Sequence, residues 1–163
     1  MFFGESELRK KLTKLAEEAY IRANFHASGA TELYDKIGTL PGMAILERRN
    51  PYADAEYQCA QYVFGARKRE LWCPVNGDAP EELWESPEEF LTSQGYKLVT
   101  TPDRLDVVGY RTSFNRPNRI KHWGLFVGPV VNSKLDRGHI YKHAPEMVPL
   151  DYADNALFFR KLK

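Results

Sequence analysis

The residue in this chain best suited to nucleophilic chemistry is Cys59. It lies in segment 57–65, YQCAQYVFG, where small and apolar residues recur at helical spacing. Asn50-Pro51 and Asp54 precede this segment and supply turn and N-cap chemistry, so we expect Cys59 in the first turn of a short helix. Unpaired backbone N–H groups in a first turn favour the thiolate, the form that attacks a carbonyl carbon.

A nucleophilic thiol needs a base, and His122 is the histidine best placed by sequence. It opens segment 122–127, whose aromatic and branched residues predict a strand that ends at Gly128-Pro129. On a strand, His122 shares its face with Gly124, and a glycine there would leave room for the helix that carries the cysteine. Each residue also has an ordinary structural explanation, since lone cysteines and strand histidines are commonly core residues.

The order of these segments resembles that of the NlpC-type papain-like cysteine hydrolases. That family has a cysteine at a helix start, a Gly-Asp-apolar strand and a His-Val-Gly-Ile-Tyr-apolar-Gly strand. The similarity covers about residues 50–163 and is greatest to an uncharacterised bacterial branch of the superfamily. Gln58 and Ala60 depart from the residues that flank the cysteine in the family. The segments that carry the resemblance are 57–65, 72–74, 95–96, 105–110, 122–128, 133–135 and Tyr152.

The resemblance implies an α+β fold of the papain-like NlpC type. A central antiparallel sheet would pack against the cysteine-bearing helix, within a single domain over residues 1–163 whose first 48 residues form an N-terminal helical extension. The implied activity is attack of a Cys59 thiolate, paired with a His122 imidazolium, on a peptide or another amide, ester or thioester. The backbone N–H of Cys59 would help to bind the oxyanion.

A third residue should orient His122, and the sequence leaves its identity open. Segment 141–145 looks like the family's apolar-apolar-His-Ala stretch, which favours His143. The alternatives are His139, Asn132 and Asp136. For substrate binding we predict Tyr57, Trp123 and Arg116; Arg116 lies in the polar loop 112–119, where a solvent-exposed arginine is the common alternative.

Regular elements are predicted along the whole chain. Residues 5–25 predict a long amphipathic helix with Leu12 and Tyr20 in its apolar stripe and Arg9 on its polar side. Ser86 and Pro87 predict a helix start with Glu89 completing a capping box, and Gly95 predicts its end. A further helical segment is expected at 31–37, a strand or loop at 43–46, a loop at 72–82, and strands at 97–100, 106–111, 121–127, 130–135, 139–143 and 156–162.

Composition limits the other functions. Lys plus Arg number 23 and Asp plus Glu 22, so the net charge of +1 gives no general attraction to nucleic acid or membranes, and the basic cluster at 67–69 is expected to be a solvated helix end. No signal peptide or membrane-spanning run is present, so we expect a cytoplasmic protein, and nothing predicts its oligomeric state.

No cofactor or metal is expected. His139 and His143 would lie about 13 Å apart on a strand, too far to share one metal ion. Cys59 and Cys73 are expected to be reduced, with a disulfide between them as the alternative. A catalytically inactive protein-binding or virion-associated module remains the alternative function, because Gln58 and Ala60 depart from the family pattern.

Overall fold

The computed structural model describes residues 1–54, 57–65 and 80–162, which form a mixed α+β structure. Within these residues there are five helices and seven strands. The helices are α1 (Glu7–Asn24), α2 (Ala30–Ile37), α3 (Cys59–Gly65), α4 (Glu81–Glu85) and α5 (Pro87–Ser93). The strands are β1 (Met43–Glu47), β2 (Tyr96–Val99), β3 (Val107–Arg111), β4 (His122–Phe126), β5 (Val131–Lys134), β6 (Ile140–His143) and β7 (Asn155–Lys161).

The seven strands form one antiparallel sheet in the order β1-β6-β5-β4-β3-β7-β2. The six strands predicted from residue 97 onward are confirmed, with ends that differ by about a residue. Segment 43–46 proves to be a strand and lies at one edge of the sheet, where β1 pairs with β6. The first 48 residues therefore supply two helices and an edge strand of the common sheet.

Helices cover both faces of the sheet. On one face, here called the α3 face, α3 packs against Trp123 of β4 with Val107 of β3 and Phe159 of β7. On the other, the α1 face, Leu12 of α1 and Tyr34 of α2 pack against Tyr141 of β6, and a neighbouring apolar cluster continues across β3, β5 and β7. The alternation of side chains along each strand divides these residues between the two faces.

Helix α1 begins at the predicted place, because the Ser6 hydroxyl accepts a hydrogen bond of 3.1 Å from the backbone N–H of Arg9. The prediction for Arg9 itself is wrong. Its side chain is only 1% exposed and donates to the carbonyl oxygens of Val148 and Ala153, at 3.2 Å and 2.5 Å. These bonds compensate for the burial of the guanidinium and hold loop 148–153 against α1.

The segment before the sheet differs from its prediction. Glu81 and Glu82 belong to α4, although a loop was expected through residue 82. The rest of that loop, including Cys73, and the basic cluster 67–69 lie outside the described residues. Ser86 is the N-cap of α5 and Pro87 is its first residue, as predicted, but the Ser86 side chain makes no capping hydrogen bond.

Gly124 has a different role from the one expected. Helix α3 packs on the α3 face, whereas Gly124 lies on the α1 face beside Val131 and Ser133 of β5. A Cβ atom at this position would lie 2.5 Å from Cγ1 of Val131 and 3.4 Å from Cβ of Ser133. The glycine therefore lets β5, and not the cysteine-bearing helix, approach β4 closely.

We predict that Gly124→Ala lowers the free energy of unfolding by about 1–3 kcal/mol, because the stiff Val131 side chain must be displaced. Urea denaturation measures the loss. Adding Val131→Ala should recover part of it by removing the clash, and Gly4→Ala is the matched control because no atom lies within 4 Å of its Cβ position. Equal stabilities of the two single glycine variants would contradict this account of the packing.

Candidate active site

The candidate site lies where β4 and β5 separate. Their ladder comprises two residue pairs, Leu125 with Asn132 and Phe126 with Val131. Continuing that register would pair Trp123 with Lys134, but the described ladder does not reach them. We call this gap between Trp123 and Lys134 the fork. Helix α3 packs against both strands and places its first residue, Cys59, at the fork.

Cys59 is the first residue of α3, as predicted, and carries a free thiol. The side chain belongs to the apolar cluster of the α3 face, and the residue is 7% exposed. Burial raises the pKa of the thiol to about 12, although the backbone N–H groups of Trp123 and Ala60 point at the sulfur and oppose the increase. The thiol is therefore neutral at neutral pH, contrary to the expected thiolate.

His122 begins β4 and is 1% exposed on the α1 face. Its ring lies between two tyrosines, with centroid distances of 5.0 Å to Tyr152 and 5.6 Å to Tyr110. Nε2 is buried and makes no hydrogen bond to any described residue, so none joins it to the Cys59 sulfur. Burial, with a smaller effect of His143, lowers the pKa of His122 to about 3 and keeps the imidazole neutral.

The sulfur of Cys59 is nevertheless close to the backbone of His122. The N–H that points at the sulfur belongs to the peptide bond between His122 and Trp123. The structure thus brings the thiol to the main chain of the predicted base, while the imidazole points to the other face of the sheet.

His143 shares the α1 face with His122, but its hydrogen bonds go elsewhere. Nδ1 donates to the carbonyl oxygen of Ala144 at 2.7 Å, and Nε2 is 2.7 Å from the Ser133 hydroxyl, which must then be the donor. Burial lowers the pKa of His143 to about 4. Because both ring nitrogens are engaged, His143 does not hydrogen-bond His122 in this arrangement.

The alternative orienting residues are also placed away from His122. His139 accepts from the backbone N–H of Arg49 at 2.8 Å through Nδ1, and its Nε2 is 2.7 Å from Asp35. Asn132 pairs with Leu125, which puts it on the α3 face, and its Oδ1 atom is buried without a hydrogen-bond partner among the described residues.

The three residues predicted to bind substrate lie in three separate environments. Trp123 is fully buried in the core of the α3 face. The ring of Tyr57 is half-buried against the guanidinium of Arg49, 4.4 Å from the ring centroid. Arg116 is on the surface and forms an ion pair of 2.5 Å with Glu85 of α4. Loop 112–119 therefore contacts α4.

A buried ion pair between Lys134 and Asp54 joins β5 to the segment that precedes α3. Lys134 of β5 is fully buried, and its Nζ lies 3.3 Å from Asp54, which also receives a 2.8 Å bond from Arg49. Burial lowers the pKa of Lys134 to about 8 in spite of Asp54. The same Nζ donates to the carbonyl oxygens of Asp136 and Gly138, at 2.8 Å and 3.0 Å. These contacts tie the loop before Cys59 to the end of β5.

Asp136 and Tyr152 interact electrostatically with the thiol and with each other. Burial and the nearby Asp136 carboxyl raise the pKa of Tyr152, which also responds to the charge of Cys59. The Tyr152 hydroxyl is buried and has no hydrogen bond of regular geometry to the described residues. Both residues line a pocket of about 240 Å³ beside α1, whose wall also includes Thr13, Ala16, Glu17, Tyr20, Pro149 and Asp151.

The sequence contained partial signals for these residues. Tyr152 was part of the family resemblance, and Asp136 was an alternative for the orienting residue, but nothing placed either beside the thiol. Lys134 lies in segment 133–135, which is part of the family resemblance. The alternation of polar and apolar residues in so short a strand does not indicate that this lysine is buried.

Comparison of the chain with family models, curated proteins and solved structures finds no match. The described residues contain no cluster of three or more histidine, cysteine, aspartate or glutamate side chains able to hold a metal ion. In the same part of the chain, no helix has the length and apolar character required to cross a bilayer.

The buried histidines predict a pH-dependent stability. The pKa of His143 is about 4 in the folded chain against 6.5 ordinarily, so between these values the unfolded chain binds more protons. The free energy of unfolding therefore falls as the pH decreases, by up to about 1.4 kcal/mol per pH unit for this residue.

We expect urea titrations from pH 6.5 to 4.5 to give a flatter pH dependence for His143→Gln than for the unchanged chain. His26→Gln is the matched control, because His26 is exposed. If the free energy of unfolding depends on pH with the same slope in His143→Gln and in the unchanged chain, the pKa of His143 is not lowered by burial.

Proposed function

We propose that this protein is a cysteine hydrolase or acyltransferase of the NlpC-like, papain-like type, with Cys59 as its nucleophile. The observation that carries the proposal is the position of Cys59 at the fork, with its sulfur against the peptide bond that follows His122. The buried and unpartnered Nε2 of His122 adds to it. An unsatisfied buried imidazole costs free energy, and a catalytic role is one explanation for such a group.

The pKa directions disfavour a resting thiolate–imidazolium pair, and a base whose pKa is about 3 becomes effective only when substrate entry raises that pKa. Thiol and imidazole are both neutral, so the thiol proton leaves as the sulfur attacks. Because the imidazole of His122 lies on the α1 face, this step requires a local change of the β4 backbone at the fork as well as a turn of the side chain, and Nε2 gives up no hydrogen bond in that change. His143 is bonded to Ser133 and Ala144 and is neutral at neutral pH, so it takes no part in this step.

In the proposed reaction, the Cys59 sulfur bonds to the carbonyl carbon while its proton passes to Nε2 of His122. The backbone N–H of Cys59 binds the oxyanion. Collapse breaks the bond to the leaving group, which takes the proton from His122 and leaves a thioester on Cys59. Water or another acceptor attacks that thioester through the same base and restores the thiol.

The substrate class is an amide, ester or thioester, including a peptide. The pocket of about 240 Å³ beside Asp136 and Tyr152 is the proposed binding space on the α1 face, and it accommodates a small acyl or amine group. Tyr57 and Arg116 remain proposed contacts for longer substrates. A free thiol fits a reducing compartment such as the cytoplasm.

Alkylation and turnover test the proposal together. We expect iodoacetamide followed by peptide mapping to modify Cys59, and Cys59→Ala to abolish hydrolysis of an activated thioester. His122→Ala should lower kcat/KM by about 10²- to 10⁴-fold, the usual contribution of a general base. Cys73→Ala is the matched control and should retain turnover. Hydrolysis that persists in Cys59→Ala would contradict the proposal.

The second candidate function is a binding module that keeps the fold without the chemistry. The 7% exposure of Cys59 and the separation of its sulfur from the His122 ring favour it. This candidate predicts that neither Cys59→Ala nor His122→Ala changes any acyl transfer rate. The turnover comparison above therefore separates the two candidates.

A further inference from the structure

The pocket of about 240 Å³ beside α1 has walls that are held in place by hydrogen bonds. The Thr13 hydroxyl accepts from the backbone N–H of Leu150 at 2.9 Å and donates to the carbonyl oxygen of Arg9 at 2.7 Å. The Arg9 side chain donates to carbonyl oxygens at both ends of loop 148–153, and the N–H of Tyr152 makes a turn hydrogen bond of 2.9 Å within it. The pocket is therefore formed before any ligand arrives, and a ligand need not order this loop.

The pocket carries negative charge without a counter-charge from the chain. Glu17 of α1, Asp136 and Asp151 line it, together with no described lysine, arginine or histidine. None of the three carboxylates forms an ion pair with a described cationic side chain. The Lys134 ammonium is engaged elsewhere, since its Nζ lies 3.3 Å from Asp54 and donates to two backbone carbonyls. The charge of the pocket therefore favours a cationic ligand.

Two tyrosines add groups that suit such a ligand. Tyr20 and Tyr152 both line the pocket, and the Tyr152 hydroxyl is buried without a hydrogen bond of regular geometry to any described residue. The face of a tyrosine ring attracts a cation, and its hydroxyl oxygen accepts a hydrogen bond from an ammonium group. Burial raises the pKa of the Asp136 carboxyl group, so a cation beside this carboxylate would meet little competition from water.

We propose that this pocket binds an organic molecule through a primary ammonium group, with Asp136 as the inner counter-charge and Glu17 and Asp151 as exposed ones. The inference names the substrate class of the pocket and in that respect rests on the proposed function. A metal ion fits less well, because the described residues contain no cluster of three or more histidine, cysteine, aspartate or glutamate side chains able to hold one. Separate carboxylates and aromatic rings can still contact a larger organic cation.

Benzylamine is the probe, and its binding is followed by the NMR shifts of assigned backbone amides. We expect saturable shifts of amides in α1 and loop 148–153. Benzyl alcohol has the same ring and no charge, so it should bind at least about tenfold more weakly. Equal affinities of the two compounds, or shifts that do not saturate, overturn the inference.

The variants identify the carboxylates. Asp136 has a φ of 48°, in the left-handed region that asparagine adopts readily, so Asp136→Asn removes the charge and preserves the turn. This variant should bind benzylamine at least about tenfold more weakly.

A matched pair on α1 keeps the test independent of folding. Glu17 and Glu18 are adjacent and exposed, but only Glu17 lines the pocket. Glu17→Gln should weaken benzylamine binding by about two- to fivefold, the effect of an exposed charge pair, whereas Glu18→Gln should match the unchanged chain. Equal affinities of the two glutamine variants contradict the proposal.

A magnesium chloride titration tests the alternative occupant. Magnesium that shifts the same amides and competes with benzylamine would show a metal site and overturn the inference. Benzylamine binding is also measured in Cys59→Ala, which should retain it, and thioester turnover is measured in parallel. Failure of the proposed function appears as turnover that Cys59→Ala does not change and leaves benzylamine binding intact, whereas failure of this inference leaves turnover dependent on Cys59.

Discussion

The structure around the candidate site depends on the separation of β4 from β5 at the fork. Two strands that part inside a sheet leave backbone N–H and C=O groups without ladder partners, and such groups must be satisfied in another way. Here the N–H of Trp123 points at the sulfur of Cys59. Beyond the end of β5, the side-chain Nζ of Lys134 donates to the backbone carbonyls of Asp136 and Gly138. The separation of β4 from β5 therefore leaves free the N–H group that is directed at Cys59, the first residue of α3.

The buried polar groups divide into two sets. Arg9, Lys134, His139 and His143 each have two or more polar partners, and their contacts tie together α1, α2, the loop before α3 and the end of the sheet. The Nε2 of His122 and the hydroxyl of Tyr152 have none of regular geometry among the described residues, and the two rings are neighbours. An unsatisfied buried group costs about 1–3 kcal/mol, and two such groups lie side by side here.

The sequence predicted the elements well and their mutual placement less well. Strand positions and the start of α3 follow from local alternation, turn residues and capping, which depend on neighbours in sequence. The face of the sheet that α3 covers depends on contacts among distant segments, so the space beside Gly124 was assigned to the wrong neighbour. Arg9 was expected in solvent because its carbonyl partners, Val148 and Ala153, come from the other end of the chain. The place of Asp136 beside the thiol depends on the fork, which no local pattern encodes.

In the proposed enzyme, the neutral thiol and neutral imidazole correspond to a resting state of the site. Their pKa values, about 12 and about 3, both result mainly from burial. In the proposed enzyme, a polar substrate that enters the fork would lower the pKa of the thiol and raise the pKa of the imidazole. Transfer of a proton from the thiol to the imidazole requires both changes. An alternative side-chain arrangement populated at about 1% lies only about 2.7 kcal/mol above the resting one, a difference that substrate binding readily supplies. In the proposed reaction, bringing His122 to the fork breaks no hydrogen bond at Nε2, but it must displace the strand backbone that separates the two faces and the packed rings of Tyr110 and Tyr152. The proposed activity would then depend on coupling substrate entry to the displacement of Tyr152, which lines the pocket and packs against the imidazole.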